Sequence, residues 1–154
     1  MRGKKAKKRE KEEDLLYNSE LVTRLINQVM ESGKKNVAEE IVYGALERLS
    51  EDRNEALNLL EQAVSNVVPD EEVRSRRVGG ATYQVPIPLK RDRAVTLAIR
   101  WIVDAAKKRS GEPMVVSLTY ELQDALRGEG TAVKKREQVH RTADANRAFA
   151  HFRW

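Results

Sequence analysis

The stretch from Val73 to Leu89 constrains the fold most, because it predicts a β-hairpin in a chain otherwise patterned for helices. Two short runs, Val73–Val78 and Ala81–Ile87, flank Gly79-Gly80, and a Gly-Gly pair supplies the positive φ angles of a tight hairpin turn. Alternate apolar residues of the second run share one face. A lone pair of strands is marginal in water. We therefore predict a protruding two-stranded antiparallel β-ribbon whose base packs on helices.

The first strand of this ribbon is basic, with Arg74, Arg76 and Arg77. Nucleic-acid grooves accept a ribbon of this shape and charge. The whole chain has a formal net charge of +5, which favours anionic partners without identifying one. Basic residues concentrate at the N-terminus, in the ribbon and in segments 100–109 and 127–153, so we expect one side of the protein to be basic.

The first 13 residues hold almost no apolar side chain and cannot bury themselves. We predict a basic arm over 1–13, separate from a single helical domain over 14–154 that carries the ribbon at 73–89. The arm either binds along the phosphate backbone of a nucleic acid or acts as a solubilising tail. Six of its seven cations precede all of its acids, which favours binding along phosphates. These cations are Arg2, Lys4, Lys5, Lys7, Lys8 and Arg9.

Apolar residues recur at helical spacing in six other segments. Asn18-Ser19 is the expected cap of the first helix, Asp92 that of the fourth and Thr131 that of the sixth. The predicted fold class is mainly α, a six-helix body with a protruding two-stranded antiparallel β-ribbon. The predicted helices run from Ser19 to before Gly33, over Asn36–Leu49, Asn54–Val67, Arg93–Arg109 and Pro113–Leu126, and from Thr131 to about Ala148.

The fourth and sixth predicted helices and the tail differ in what they can bury. The fourth helix is strongly apolar and is expected at the centre of the core, with Trp101 as a core side chain in preference to a base-stacking role. The sixth helix is weakly amphipathic, so it is either a solvated terminal helix or a docking surface for a polyanion. The aromatic tail 148–154 either packs back on the domain or stacks on a partner.

Sequence motifs predict no catalytic residue, cofactor or metal. The absence of cysteine excludes disulfides and thiolate catalysis. His140 and Asp144 lie four residues apart, but a third ligand is not apparent. The chain contains no phosphate loop, dinucleotide fingerprint or nucleophile elbow. Neither a secretory signal nor a membrane partner is expected, because the basic N-terminus leads into acidic residues and no stretch approaches a membrane span.

The segment from Arg74 to Pro86, Arg-Ser-Arg-Arg-Val-Gly-Gly-Ala-Thr-Tyr-Gln-Val-Pro, resembles the signature of the seventh small-subunit ribosomal protein family in its bacterial form. The similarity extends over about Asp14 to Trp154, and Thr142 stands where the family pattern has Met. Four other segments agree: Gly33-Lys-Lys, Ala98-Ile-Arg-Trp, Gly130-Thr-Ala-Val-Lys-Lys-Arg-Glu and Ala145-Asn-Arg-Ala-Phe-Ala-His-Phe-Arg-Trp.

This resemblance implies a function and a set of partners. It implies a cytoplasmic, non-enzymatic component of the small ribosomal subunit that binds ribosomal RNA (rRNA) of the 3′ major domain and nucleates assembly of the subunit head. The ribbon is then expected near the exit-site transfer RNA (tRNA) and the messenger RNA (mRNA) path. Small-subunit proteins nine and eleven are the expected neighbours. Some bacterial members also repress translation of their own messenger.

The resemblance also implies which residues contact RNA. The arm is expected to thread between RNA helices and the ribbon tip to lie close to tRNA and mRNA. The implied rRNA contacts are Arg2, Lys4, Lys5, Lys7, Lys8, Arg9, Lys34, Lys35, Arg74, Arg76, Arg77, Arg93, Arg109, Lys134, Lys135, Arg136 and Arg141. The implied ribbon tip is Arg77, Val78, Gly79, Gly80, Ala81, Thr82 and Tyr83.

The main alternative is an architectural DNA-binding protein, since such proteins also insert basic β-arms into the minor groove. They usually work as two-armed dimers, whereas this chain predicts a single arm on a large helical body. Dimerisation and equal affinity for duplex DNA and RNA would favour this alternative.

Overall fold

The computed structural model describes Gly3 and residues 12–152. In this part of the chain, six α-helices and one two-stranded sheet confirm the predicted fold class. None of the helices described is long and apolar enough to cross a membrane. The elements are α1 (Glu20–Val29), α2 (Lys35–Glu47), α3 (Arg53–Val67), β1 (Glu71–Val78), β2 (Ala81–Pro88), α4 (Arg91–Lys108), α5 (Met114–Leu126), α6 (Gly130–Ala145) and a C-terminal 3₁₀ helix (Arg147–Phe152).

Helix α4 lies at the centre of the body, because it packs against α1, α3, α5 and α6. Its buried side chains include Ile102 and Val103, which have no exposed surface. Burying one such side chain contributes about 1.5–3 kcal/mol. The predicted central position of this helix is confirmed. Trp101 packs against the same core and stays partly exposed.

Helix α1 has a side-chain cap at its N-terminus, whereas α4 has none. The Ser19 hydroxyl accepts a hydrogen bond from the Leu21 N–H at 3.2 Å, which confirms the predicted cap of α1. The predicted Asp92 cap is wrong, because α4 begins at Arg91, immediately after the ribbon. Asp92 lies instead in the first turn, where a carboxylate is favoured by the helix dipole. There it accepts a hydrogen bond from Arg24 Nη2 at 2.8 Å.

The predicted Thr131 cap of the sixth helix is also wrong, since α6 begins at Gly130. The first N–H groups of any helix lack partners within it. Here the Glu121 carboxylate of α5 accepts the Ala132 N–H at 2.9 Å and satisfies one of them. A neighbouring helix thus supplies the cap. The far end also differs from the prediction, because α6 ends at Ala145 and a separate 3₁₀ helix follows.

The ribbon has the predicted turn. Val78 lies opposite Ala81, and Gly79 and Gly80 adopt φ angles of +58° and +91° between them. The strands run beyond the predicted ends, to Glu71 and Pro88, because their bases pair as well. Val85 is fully buried, and both strands contact α6.

The C-terminal 3₁₀ helix lies against β2. The ring centroid of Tyr83 lies 5.1 Å from that of Phe149 and 5.2 Å from that of Phe152. Of the two placements that the sequence left open for the aromatic tail, its described part packs back on the chain. It packs on the ribbon, and none of its side chains is buried in the helical core.

Candidate nucleic-acid interface

The ribbon arginines differ in their surroundings. Arg74 forms an ion pair with Glu72 on its own strand. The other Glu72 oxygen accepts a hydrogen bond from Arg93 Nη2 of α4 at 3.3 Å. Arg76 and Arg77 point to opposite faces of β1, and neither forms an ion pair within the part of the chain that is described. Glu72 therefore pairs with both Arg74 and Arg93 at the ribbon base. Arg76 and Arg77 remain available to an anionic partner.

Arg109 has an internal role that the sequence did not reveal. Its Nη2 lies 2.9 Å from Glu121 Oε2 and also contacts the Asp124 carboxylate. Glu121 has no exposed side-chain surface, so its charge requires this partner. The hydrogen bond to Glu121 raises the pKa of the Arg109 guanidinium. The geometry assigns this cation to the junction of α4, α5 and α6, with both carboxylates already neutralising it.

The sixth helix presents most of its cations to solvent. Lys134, Lys135 and Arg141 are exposed, and among the residues described none of them forms an ion pair. Lys134 and Arg141 lie seven residues apart and therefore share one side of the helix. Arg136 is half-buried and donates a hydrogen bond to the Asn66 carbonyl of α3. Its guanidinium is thus committed in part to packing α6 on α3.

Lys34 and Lys35 lie where the α1–α2 turn enters α2. Gly33 precedes them with a φ angle of +75°. Lys35 Nζ lies 3.4 Å from Glu39 Oε1, an exposed i,i+4 pair of a kind that contributes little to stability. Lys34 is exposed and has no ion pair with any described residue. Both ammonium groups are therefore accessible to a partner.

The ribbon tip is mostly solvent-facing. Gly79, Gly80, Ala81 and Thr82 are exposed, and Val78 is half-buried. Tyr83 belongs to the aromatic contact with the 3₁₀ helix, so its ring is not free in this arrangement. The predicted arm cations Arg2, Lys4, Lys5, Lys7, Lys8 and Arg9 lie outside the described residues.

His140 has a structural contact. His140 Nε2 accepts a hydrogen bond from the Asp70 N–H at 3.1 Å and so joins α6 to the ribbon base. Within residues 12–152, no group of three side chains is placed to hold a metal ion.

Among the described cations that the resemblance implies as RNA contacts, six thus have no ion pair with any described residue, and we call these six the unpaired cations. Five of them lie on β1 or α6, which are in contact with one another. The ribbon and the sixth helix are therefore the two neighbouring elements that carry most of the unpaired cations, and Lys34 lies on a separate turn. The unpaired cations are Lys34, Arg76, Arg77, Lys134, Lys135 and Arg141.

Comparison with known proteins identifies the family. The family model described as ribosomal protein S7p/S5e matches residues 1–147. The chain belongs to the ribosomal protein S7p/S5e family. This confirms the resemblance found in the ribbon and in α6. It also confirms that the chain is a ribosomal protein and not an enzyme.

Curated relatives match most or all of this S7p/S5e chain. Small ribosomal subunit protein uS7 of Kosmotoga olearia is 56% identical over 155 residues, and that of Thermosipho africanus is 54% identical; both alignments cover 100% of each chain. The uS7 protein of Xylella fastidiosa is 52% identical over 141 residues, which cover 92% of this chain and 91% of the relative.

Proposed function

We propose that this chain is a structural component of the small ribosomal subunit that binds folded rRNA through the ribbon and α6. The supporting observation is the set of unpaired cations. Acids within the chain neutralise Arg74, Arg93 and Arg109 but leave Arg76, Arg77 and the exposed α6 cations available. Phosphate neutralisation by such groups dominates affinity for nucleic acid and makes it depend on salt.

The mechanism is positioning and shape recognition. Contacts to phosphates fix register and orientation, and folded RNA is recognised by its shape and by its unpaired bases. At the ribbon tip, a Cβ atom added at Gly79 or Gly80 would meet nothing within 4 Å. Glycine is needed there for the positive φ angles, and the bare backbone allows RNA to approach closely.

The resemblance and the small-subunit names of the relatives support a more specific location. We propose that the RNA is the 3′ major domain, that binding nucleates the subunit head and that small-subunit proteins nine and eleven lie nearby. The ribbon tip would then lie near the exit-site tRNA and the mRNA path. The same two elements would repress the chain's own messenger if that messenger folded into a similar shape.

The sequence supports a further contact from the N-terminal arm. The six cations from Arg2 to Arg9 would thread between RNA helices of the same domain. Removing residues 1–9 should weaken RNA binding without lowering the thermal stability of the body. A collapse of thermal stability would instead assign the arm to the fold.

A salt series on two ligands tests this function. The full chain is titrated with a 3′ major-domain rRNA fragment and with duplex DNA of equal length. We expect RNA binding to persist at salt concentrations that abolish DNA binding, because shape recognition adds to the electrostatic contribution. Equal and equally salt-dependent affinities would contradict the proposal and favour the architectural DNA-binding alternative, whose next test is dimerisation.

A further inference from the structure

Strand β1, helix α4 and helix α6 enclose a small groove at the root of the ribbon. Its volume is about 220 Å³. Clefts that hold drug-sized ligands measure roughly 300–1,000 Å³, so this groove suits a single ring system. It lies between β1 and α6, the two elements that carry five of the unpaired cations. Its position is therefore within the proposed RNA-binding surface.

The floor of the groove is apolar and contains an indole. Leu97 and Trp101 of α4 and Val139 of α6 all line it. Leu97 is buried, whereas Trp101 is only partly buried. The core position predicted for Trp101 is thus correct but incomplete, because the same side chain also lines an open groove. A partly exposed indole is a surface on which a flat ring can stack.

One side of the groove is polar. Lys135, Gln138 and Thr142 lie three and four residues apart on α6 and so form one stripe that lines the groove. The side chains of Lys135 and Gln138 are exposed and make no hydrogen bond to any residue described. The Thr142 hydroxyl donates to the Gln138 carbonyl at 2.8 Å and keeps its oxygen as an acceptor. A free amide can both donate to and accept from the edge of a heterocycle.

The charge of the groove favours an anionic ligand. Glu72 is its acidic residue, and Arg74 and Arg93 occupy the two oxygens of that carboxylate. Lys135 is left as the uncompensated charge among the residues that line the groove. A ring that carries a phosphate matches this pattern better than a neutral aromatic side chain, which would gain nothing from Lys135.

We propose that this groove binds one unpaired nucleobase of the RNA. The base stacks on Trp101, its edge bonds to the Gln138 amide, and its phosphate lies beside Lys135. Unstacked bases of RNA loops are commonly held in this way, by an aromatic ring and an edge contact. The inference rests on the proposed RNA-binding function and adds a base-specific contact to its electrostatic surface.

The fluorescence of Trp101 provides the test. The chain contains two tryptophans, so Trp154→Phe leaves Trp101 as the sole indole. The full-length variant is titrated with the 3′ major-domain rRNA fragment while affinity is measured separately by filter retention. Gln138→Ala and Lys135→Gln are then introduced into the same background. The matched controls are Gln62→Ala on α3 and Lys108→Gln on α4, which change exposed residues away from the groove.

We expect RNA to quench the Trp101 emission with a midpoint equal to the binding midpoint. Gln138→Ala should weaken binding about fivefold, the loss of one hydrogen bond, and reduce the quenching. Lys135→Gln should lower the salt slope by roughly 0.7 to 0.9. Both controls should leave affinity and quenching unchanged.

Three other outcomes would overturn the inference. Tight RNA binding with unquenched emission and unchanged affinity of the Gln138→Ala variant would exclude a nucleobase from the groove. The groove would then be a site for a protein side chain, and the proposed function would still hold. Equal losses in Gln62→Ala and Gln138→Ala would show a general effect of substitution. Absence of RNA binding by the unaltered chain would contradict both the groove and the proposed function.

Discussion

The ring centroids of Tyr83 and Phe149 lie 5.1 Å apart with their planes inclined by 50°, and this contact joins the ribbon to the C-terminal 3₁₀ helix. Phe152 approaches the same tyrosine at 5.2 Å. Aromatic pairs in tilted arrangements contribute about 0.5–1.5 kcal/mol beyond their buried area. The C-terminal segment thus packs on β2 and stabilises it.

Replacing Phe149 with alanine should weaken the packing of the 3₁₀ helix on β2. We expect faster amide hydrogen exchange in residues 81–85 and 147–152, with little change in the helical core, because the 3₁₀ helix buries no side chain there. Tyr120→Ala is the matched control, since Tyr120 is 47% exposed on α5 and lies outside this cluster. Unchanged exchange in the ribbon would show that the aromatic contact does not hold it.

Two glycines near the start of α6 allow backbone strain to be separated from steric conflict. Gly128 and Gly130 have φ angles of +75° and +92°. An added Cβ meets nothing within 4 Å at Gly128, but at Gly130 it lies 2.9 Å from the Asp124 Cβ and 3.1 Å from Glu121 Oε1. Alanine at either position is strained by about 1 kcal/mol, because L-residues rarely adopt this conformation.

Gly130→Ala should therefore destabilise the chain more than Gly128→Ala, by about 1–3 kcal/mol for the conflict with Asp124. At about 2–4 °C per kcal/mol for a chain of this size, calorimetry resolves that difference in melting temperature. Equal melting temperatures for the two variants would mean that the α5–α6 junction adapts without cost.

Tyr43 should make stability depend on pH in the alkaline range. Burial, and after it the hydrogen bond to Asp14 Oδ1 at 2.7 Å, raises the pKa of Tyr43 above its usual value of about 10. A raised folded pKa means that the full stabilisation is present below pH 10 and is lost as pH rises towards the folded pKa. Over that range the unfolded chain has released the proton and the folded chain retains it.

The free energy of unfolding should therefore fall above pH 10 by up to about 1.4 kcal/mol per pH unit from this group. Tyr43→Phe should show a shallower decline, and urea titrations at pH 9, 10 and 11 measure it. The neighbouring Tyr17, whose pKa is also raised by burial, is present in both proteins and contributes its own decline to each. Identical slopes would contradict the assignment to Tyr43.

Local signals predicted much of the fold. The spacing of Val22, Leu25 and Ile26 predicted α1, and the Ser19 cap followed from the same stretch. Gly79 and Gly80 predicted the hairpin because positive φ angles are required between the two strands. These features depend on residues close together in the sequence.

The errors arose where distant residues decide the structure. Asp92 does not cap α4, and its hydrogen bond comes from Arg24, 68 residues earlier. Thr131 does not cap α6, because Glu121 of α5 takes that role. The RNA contact that the resemblance implies for Arg109 stays a prediction, but the partners that neutralise this residue lie 12 and 15 residues later on another helix and were not evident from the sequence. The groove beside Trp101 is formed by three elements that are distant in the sequence, so no local sequence pattern predicts it.

The most direct test of RNA binding by the ribbon is the salt dependence of affinity for the 3′ major-domain rRNA fragment. It compares the unaltered chain with a double Arg76→Gln/Arg77→Gln variant. The control is a double Arg48→Gln/Arg53→Gln variant, in which both altered arginines are exposed, Arg48 at the end of α2 and Arg53 at the start of α3. Loss of two phosphate contacts should lower the slope of log K against log salt by roughly 1.4 to 1.8. The control should keep the original slope. Equal slopes for all three proteins would contradict RNA binding by the ribbon.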